Sequence, residues 1–313
     1  MFRKDIEVLD CTIRDGGLIN NWDFTDSFVK AVFRALHEAG IDYMEVGYKS
    51  SRSLLSPEGI GKWRFCDEEV LRPIVEETHM KLSAMIDVGR VDPGDIPQES
   101  DSVLNMIRVA TYVKDIDKAI DLAKRMHDKG YETTVNIMAI SHARDQELDE
   151  ALIQLSESPV STVYIVDSFG SLYSEQVKYL VEKYKTHLKG KKVGMHAHNN
   201  QQLGFGNTIE AIIHGASMLD ATVYGIGRGA GNCPIELLIG FLKNPKFNIR
   251  PIIKLIEDEF IPLREKIEWG YLIPYALTGI RDEHPRAAMK LRKTEAKDCY
   301  TKFYDSLLND QVK

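Results

Sequence analysis

Short runs of β-branched and apolar residues recur along the chain, separated by longer stretches whose apolar positions fall at helical spacing. The runs at residues 6–11, 43–47, 81–86, 103–109, 133–140, 162–166, 192–198 and 219–223 predict eight strands. Between them, residues 26–39, 116–129, 146–156, 174–185 and 207–214 read as amphipathic helices, several followed by a glycine (Gly40, Gly130, Gly215) that can close the helix in the left-handed conformation. Helices are expected to alternate with strands throughout. Strand–helix repeats imply parallel pairing, because a helical crossover is what returns the chain to the same sheet edge. An open doubly wound sheet also alternates in this way, but eight units with no break in composition favour a closed (β/α)₈ barrel of the α/β class. Residues 234–242 supply a closing helix, and Asn244-Pro245 and Arg250-Pro251 punctuate the chain beyond it. The expected division is a barrel over residues 1–245 and a helical extension over 246–313, serving as a lid or a dimerisation element.

Composition narrows the function. A chain of 313 residues with 43% hydrophobic and 28% charged residues is long enough for one barrel with an appendage and shows no disordered bias. The net charge of −7, with no basic cluster, removes the electrostatic footprint that nucleic acid or an anionic membrane requires. No apolar run approaches the roughly 20 residues of a bilayer span, and the first residues lack the pattern of a secretory signal. Cys11, Cys66, Cys233 and Cys299 are scattered without metal-type spacing, so a reducing, cytoplasmic setting is expected. Partners should be small molecules or other copies of the chain.

In a barrel of this kind the chemistry stands where strands end. Polar residues gather there: Thr12-Ile13-Arg14-Asp15-Gly16-Gly17 after the first strand, Asp167-Ser168-Phe169-Gly170 after the sixth, His196-Ala197-His198-Asn199-Asn200 at the seventh, and the Gly225–Asn232 loop after the eighth. His196 and His198 alternate with apolar Met195 and Ala197, which points both imidazoles into the barrel mouth. An isolated H-x-H could be no more than polar residues at a strand end, but with Asp15 as a carboxylate partner it becomes a set of ligands for one divalent cation, Mn²⁺ or Mg²⁺. Asn232 offers a further oxygen. Arg14 and Asp15 are adjacent, so both can enter the site only if the chain turns, which Gly16-Gly17 would permit. An arginine beside a cation suits a substrate oxygen that becomes anionic, as when a 2-oxo acid is converted to its enolate. The glycine loop resembles a dinucleotide fingerprint only superficially, since no strand ending in an acidic residue follows it. Gly227 and Gly229 are better read as letting the backbone approach the substrate.

These motifs together resemble the DRE-TIM metallolyase, or HMGL-like, barrels, a superfamily that includes 3-hydroxy-3-methylglutaryl-CoA lyase, 4-hydroxy-2-oxovalerate aldolase, isopropylmalate and homocitrate synthases and pyruvate carboxyltransferase domains. The resemblance spans residues 5–242 and rests on Leu9-Asp10-Cys11-Thr12-Ile13-Arg14-Asp15-Gly16, the H-A-H-N-N run and the glycine loop; the Gly-Ala-Gly-Asn-Cys-Pro run and the extra helices bring it nearest to the hydroxy-oxovalerate aldolases. It implies that Asp15, His196 and His198 hold metal, with Asn232 a ligand as in some members. It further implies that Arg14 stabilises an enolate and that Ser168 contacts pyruvate. The implied reaction cleaves a 4-hydroxy-2-oxo acid to a 2-oxo acid and an aldehyde, with a second copy of the chain or a dehydrogenase subunit as partner. Leu18 stands where the aldolases carry the histidine taken as base, so a replacement is sought in the extension, at Tyr271, Tyr275 or His284, or in a metal-bound water. Cys233 lies near the catalytic cysteine of the CoA lyases but out of register, and reads as structural. Two alternatives stay open: a Claisen-type acyltransferase joining acetyl-CoA to a 2-oxo acid, and an inactive metal-binding barrel serving another subunit.

Overall fold

A computed structural model describes residues 2–309. Its eight strands, β1 (Glu7–Asp10), β2 (Tyr43–Tyr48), β3 (Lys81–Asp87), β4 (Met106–Thr111), β5 (Glu132–Ile137), β6 (Thr162–Asp167), β7 (Lys192–Ala197) and β8 (Met218–Ala221), pair in chain order, all parallel, and β8 closes on β1. The two-residue alternation divides each strand between two environments. Ile107, Val109, Val163, Ile165, Val193 and Met195 join the large core beneath the helices, whereas Met106, Tyr164 and Met218 meet Leu9 and Tyr43 in a smaller cluster inside the barrel.

Above that apolar floor the barrel interior is ionic. Arg108, fully buried, lies 3.0 Å from Glu45 and 2.6 Å from Asp220, with its guanidinium 4.3 Å above the Tyr164 ring. Three ions in a dry interior are tolerable only because each is paired; losing the central cation leaves Glu45 with Arg14 alone and Asp220 with His196 alone. Arg108→Leu should therefore lower unfolding stability by about 3–5 kcal/mol in denaturant titration, and an unchanged midpoint would show that the network contributes nothing.

Two features depart from the periodic pattern. Between β2 and β4 the crossovers contain short turns and one four-residue helix, Glu68–Leu71, where regular alternation predicts full helices. Pro57, Gly59 and Gly61 in the first crossover, and Gly89, Pro93, Gly94 and Pro97 in the second, break helical continuity. Conversely, residues 12–20, expected to turn at glycine, form the helix Thr12–Asn20, with Gly16 and Gly17 inside it. It starts abruptly because the Asp10 carboxylate accepts from both the backbone N–H (3.1 Å) and the hydroxyl (2.6 Å) of Thr12.

After the barrel, the helix Ile249–Leu255 packs against the outer helices Asp26–Glu38 and Ile235–Leu242, and the helices Ile273–Ile280, Arg286–Leu291 and Tyr300–Asn309 gather beside the glycine loop. Tyr275, Ala288, Phe303 and Leu307 pack with Ala230 of the glycine loop, and the Gly270 N–H donates to the Gly229 carbonyl at 3.2 Å. Among the described residues no helix is long and apolar enough to cross a membrane.

Candidate active site

The helix Thr12–Asn20 places Arg14, Asp15 and Leu18 at the mouth, because residues three and four apart share a face. Strand β7 brings His196 and, just past its end, His198 to the same point. Their polar atoms converge: His196 Nε2 lies 3.3 Å and His198 Nε2 3.8 Å from Asp15 Oδ2. These side chains, with Arg228, Ser168, Tyr48, Asn136, Met138 and Val166, line a cavity of about 60 Å³.

Burial alone would raise the Asp15 carboxyl, yet Arg14 and the two histidines hold it well below the usual carboxylate range. Burial pushes His198 well below the ordinary imidazole value, with Arg228 and His196 acting in the same direction, so the ring stays neutral. Burial works the same way on His196, but the neighbouring Asp15 and Asp220 carboxylates outweigh it and raise this imidazole. Asp220 Oδ2 accepts from His196 Nδ1 at 2.9 Å, which fixes the tautomer and leaves the Nε2 lone pair aimed at Asp15. Neither Asp15 oxygen has a hydrogen-bond donor, and Asn232 Oδ1 is also buried without one. A buried anion facing two imidazole lone pairs is costly unless a positive charge sits among them. The donor set of one carboxylate and two imidazoles, ligand atoms within 4.8 Å of one another, fits a divalent cation.

The glycine loop bridges to β7's end and brings Asn232 beside His198: residue 232 pairs with His198, and Cys233 N–H donates to the Ala197 carbonyl at 3.2 Å, although Asn232 is not among the residues that line the cavity. Gly227 and Gly229 do not line the cavity. A Cβ on Gly227 would overlap the Asn232 amide, and Gly229, at φ +61°, lies against the Tyr275 ring, so both glycines make room for protein side chains. Burial pushes the Cys233 thiol up to about 12, consistent with packing rather than reactivity.

Tyr275 and His284 are not brought into the cavity either. Tyr275 is buried behind the loop, where burial raises its phenol to about 12. His284 is one layer back: its Nε2 lies 3.3 Å from Arg228 Nη1 and its Nδ1 3.0 Å from the Arg286 N–H. Burial and those two arginines push it down to about 4. Arg228, to which the sequence pattern assigned no role, does line the cavity and donates to the Ser168 carbonyl at 2.5 Å. A lone arginine among glycines was the available signal. Glu45 was equally readable as a carboxylate inside an apolar strand; its Oε2 accepts from Arg14 Nε at 2.7 Å and fixes that guanidinium.

The family model for HMGL-like proteins matches residues 5–257. The chain belongs to the HMGL-like family. It is 33% identical over 286 residues to 4-hydroxy-2-oxovalerate aldolase of Thermus thermophilus, covering 86% of this chain and 81% of the relative. It is 29% identical over 239 residues to oxaloacetate decarboxylase of Mycobacterium tuberculosis, covering 75% and 69%. Among solved structures, the N-terminal domain of a candidate aldolase from Bacteroides vulgatus superposes with TM-score 0.82 at 33% identity, over 92% of this chain and 97% of that one. Members of this HMGL-like aldolase branch depend on a divalent metal, in keeping with the donor set at the barrel mouth.

His198→Ala should abolish stoichiometric metal, from about one ion per chain to near none, while Asp220→Asn should weaken metal binding by about 10–100-fold by releasing the His196 ring. Elemental analysis after dialysis, with calorimetric Mn²⁺ titration, checks both; equal metal in wild type and His198→Ala would overturn the ligand assignment.

Proposed function

We propose that the chain is a divalent-metal-dependent carbon–carbon lyase that cleaves a 4-hydroxy-2-oxo acid to pyruvate, or another 2-oxo acid, and an aldehyde. The observation that carries this reading is the convergence of Asp15, His196 and His198 on one small cavity that also holds Arg14. In it, those three side chains hold Mn²⁺ or Mg²⁺, with Asn232 positioned beside His198. The cation, when bound, supplies Lewis-acid pull on the substrate's 2-oxo and carboxylate groups.

Cleavage breaks the C3–C4 bond, leaves its electron pair conjugated with the 2-oxo group, and passes the 4-hydroxyl proton to water, from which C3 takes one back as the 2-oxo acid forms. Arg14, held by Glu45, donates to the oxygen that becomes negative, and Arg228 adds a second guanidinium on the Ser168 side. Tyr48, raised to about 12 by burial, keeps its proton, so it can donate a hydrogen bond to the substrate but does not act as the base. Leu18, Met138 and Val166 form the apolar wall that limits water.

Leu18 supports a second reading. Loss of CO₂ from a 2-oxo acid carrying a carboxylate at C4 leaves the same electron pair at C3 but needs no base, and the wall where Leu18 stands offers none. A panel of 4-hydroxy-2-oxo acids and oxaloacetate, assayed with and without Mn²⁺ alongside deuterium exchange into the pyruvate methyl group, separates the two. Aldehyde release supports the lyase and CO₂ release alone the decarboxylase; absence of metal-dependent exchange and of both products rejects each. A reducing cytoplasmic setting belongs to this reading, supported by four cysteines that are all free. So does assembly with a second copy or a dehydrogenase subunit, supported by the exposed Tyr271, Ile280, Tyr304 and Leu308 on the extension.

A further inference from the structure

The cavity around Arg14 is small, about 60 Å³ against about 370 Å³ for the chamber outside it. Leu18, Tyr48, Ala110, Met138 and Arg228 line both this cavity and that outer chamber, so the two spaces adjoin, and the chamber is the nearest room for a substrate tail that extends beyond the reacting carbons.

The chamber's charge is one-sided. Arg64, Arg90, Lys114 and Arg228 face Asp87 and Asp115, four positive charges against two negative. Asp115 is already engaged by Lys118 at 2.7 Å. Asp87 takes one N–H of Arg64 at 2.6 Å and lies 3.5 Å from Arg90. That leaves Arg64 Nε and Nη1 without a hydrogen-bond partner among the described residues, although the side chain is almost wholly buried. Its guanidinium is held flat, 3.7 Å from the centre of the Tyr48 ring and 4.7 Å from that of Trp22. Tyr48 in turn borders the reacting cavity. Lys114 stands at the rim with no hydrogen bond or ion pair among the described residues. A preorganised guanidinium with two N–H groups unengaged, stacked on a ring that borders the reacting centre, recognises a carboxylate or a phosphate.

We infer that the substrate carries an anionic group on the carbons beyond C4, carboxylate or phosphate, received by Arg64 with Lys114 and Arg90 at the rim. This rests on the lyase reading and names the class of aldehyde released: an acidic one rather than a simple alkyl aldehyde.

The test is calorimetric binding to the Mn²⁺-loaded protein of 2-oxo acids that lack a 4-hydroxyl and so cannot be cleaved: one with an alkyl tail, one of equal length ending in carboxylate, one ending in phosphonate. The anionic tails should bind about 10–100-fold tighter than the neutral one, as charge-assisted hydrogen bonds do, and the tighter of the two names the group. Raising ionic strength should shrink that ratio, Arg64→Met should bring it towards unity, and Lys114→Ala should lower it severalfold. If Arg64→Met does not fold, Arg64→Lys, which cannot present the same fork, reads the same ratio. Equal or tighter binding of the neutral tail by wild type overturns the inference. Cleavage without any tail preference would leave the lyase reading standing and remove this one; a preference for anionic tails without cleavage of any hydroxy-oxo acid would do the reverse.

Discussion

Replacing Leu18 with histidine should accelerate cleavage of a 4-hydroxy-2-oxo acid by about 10²–10⁴-fold, the range a positioned general base contributes. Leu18 sits on the helix Thr12–Asn20 four residues after Arg14 and three after Asp15, so its side chain shares their face and lines the cavity they line. It is partly buried and borders the outer chamber too, so an imidazole there would have solvent on one side and could titrate near its ordinary value. The other candidates for proton removal are engaged or remote: the His196 and His198 rings face Asp15, Tyr48 keeps its proton, and Tyr275 and His284 lie behind the glycine loop. Steady-state rates of pyruvate release at matched metal occupancy measure the gain. A Leu18→His protein with unchanged cleavage and intact metal would mean that proton removal at this wall is not limiting, and would move the balance towards decarboxylation.

Arg14→Ala should lower kcat by about 10²–10³-fold with a smaller change in KM, because its hydrogen bonds strengthen only as negative charge develops on the substrate oxygen. Fold loss is a lesser concern here than at Arg108: Glu45 would lose the 2.7 Å bond from Arg14 but keep Arg108 at 3.0 Å. Arg14→Lys is the control, retaining charge without the fork, and should recover only part of the rate. Near-normal kcat in Arg14→Ala, with metal bound, would remove the arginine from the chemistry.

The barrel was legible because period-two alternation is strong where one strand face meets helices and the other a narrow interior; Val163, Ile165, Val193 and Met195 carry that signal plainly. The meeting of Asp15 with His196 and His198 was legible for the same reason, since strand ends in a barrel converge on one mouth. What could not be read was local. The helix Thr12–Asn20 contains two glycines and a β-branched start, a poor helical signal overridden by the Asp10–Thr12 bonds and by burial of its first six residues. The placement of Tyr275 and His284 depended on how the extension folds beside the glycine loop, and its apolar packing on Ala230 decided that no sequence spacing would put them within reach. Arg228 escaped because glycine-rich loops hide the directions of their side chains.

The turns that replace helices after β2 and β3 have a consequence for how this enzyme can change over generations. Arg64, Asp87 and Arg90, which shape the outer chamber, belong to or border those turns, whereas the metal-facing residues hang from β7 and from the helix after β1. Loops at the surface accept insertion and replacement far more readily than packed helices. Selection for a new substrate can therefore act on these two connections while the reaction machinery stays fixed, and lineages that share Arg14, Asp15, His196 and His198 would diverge first in their exposed parts, around residues 52–59 and 89–101.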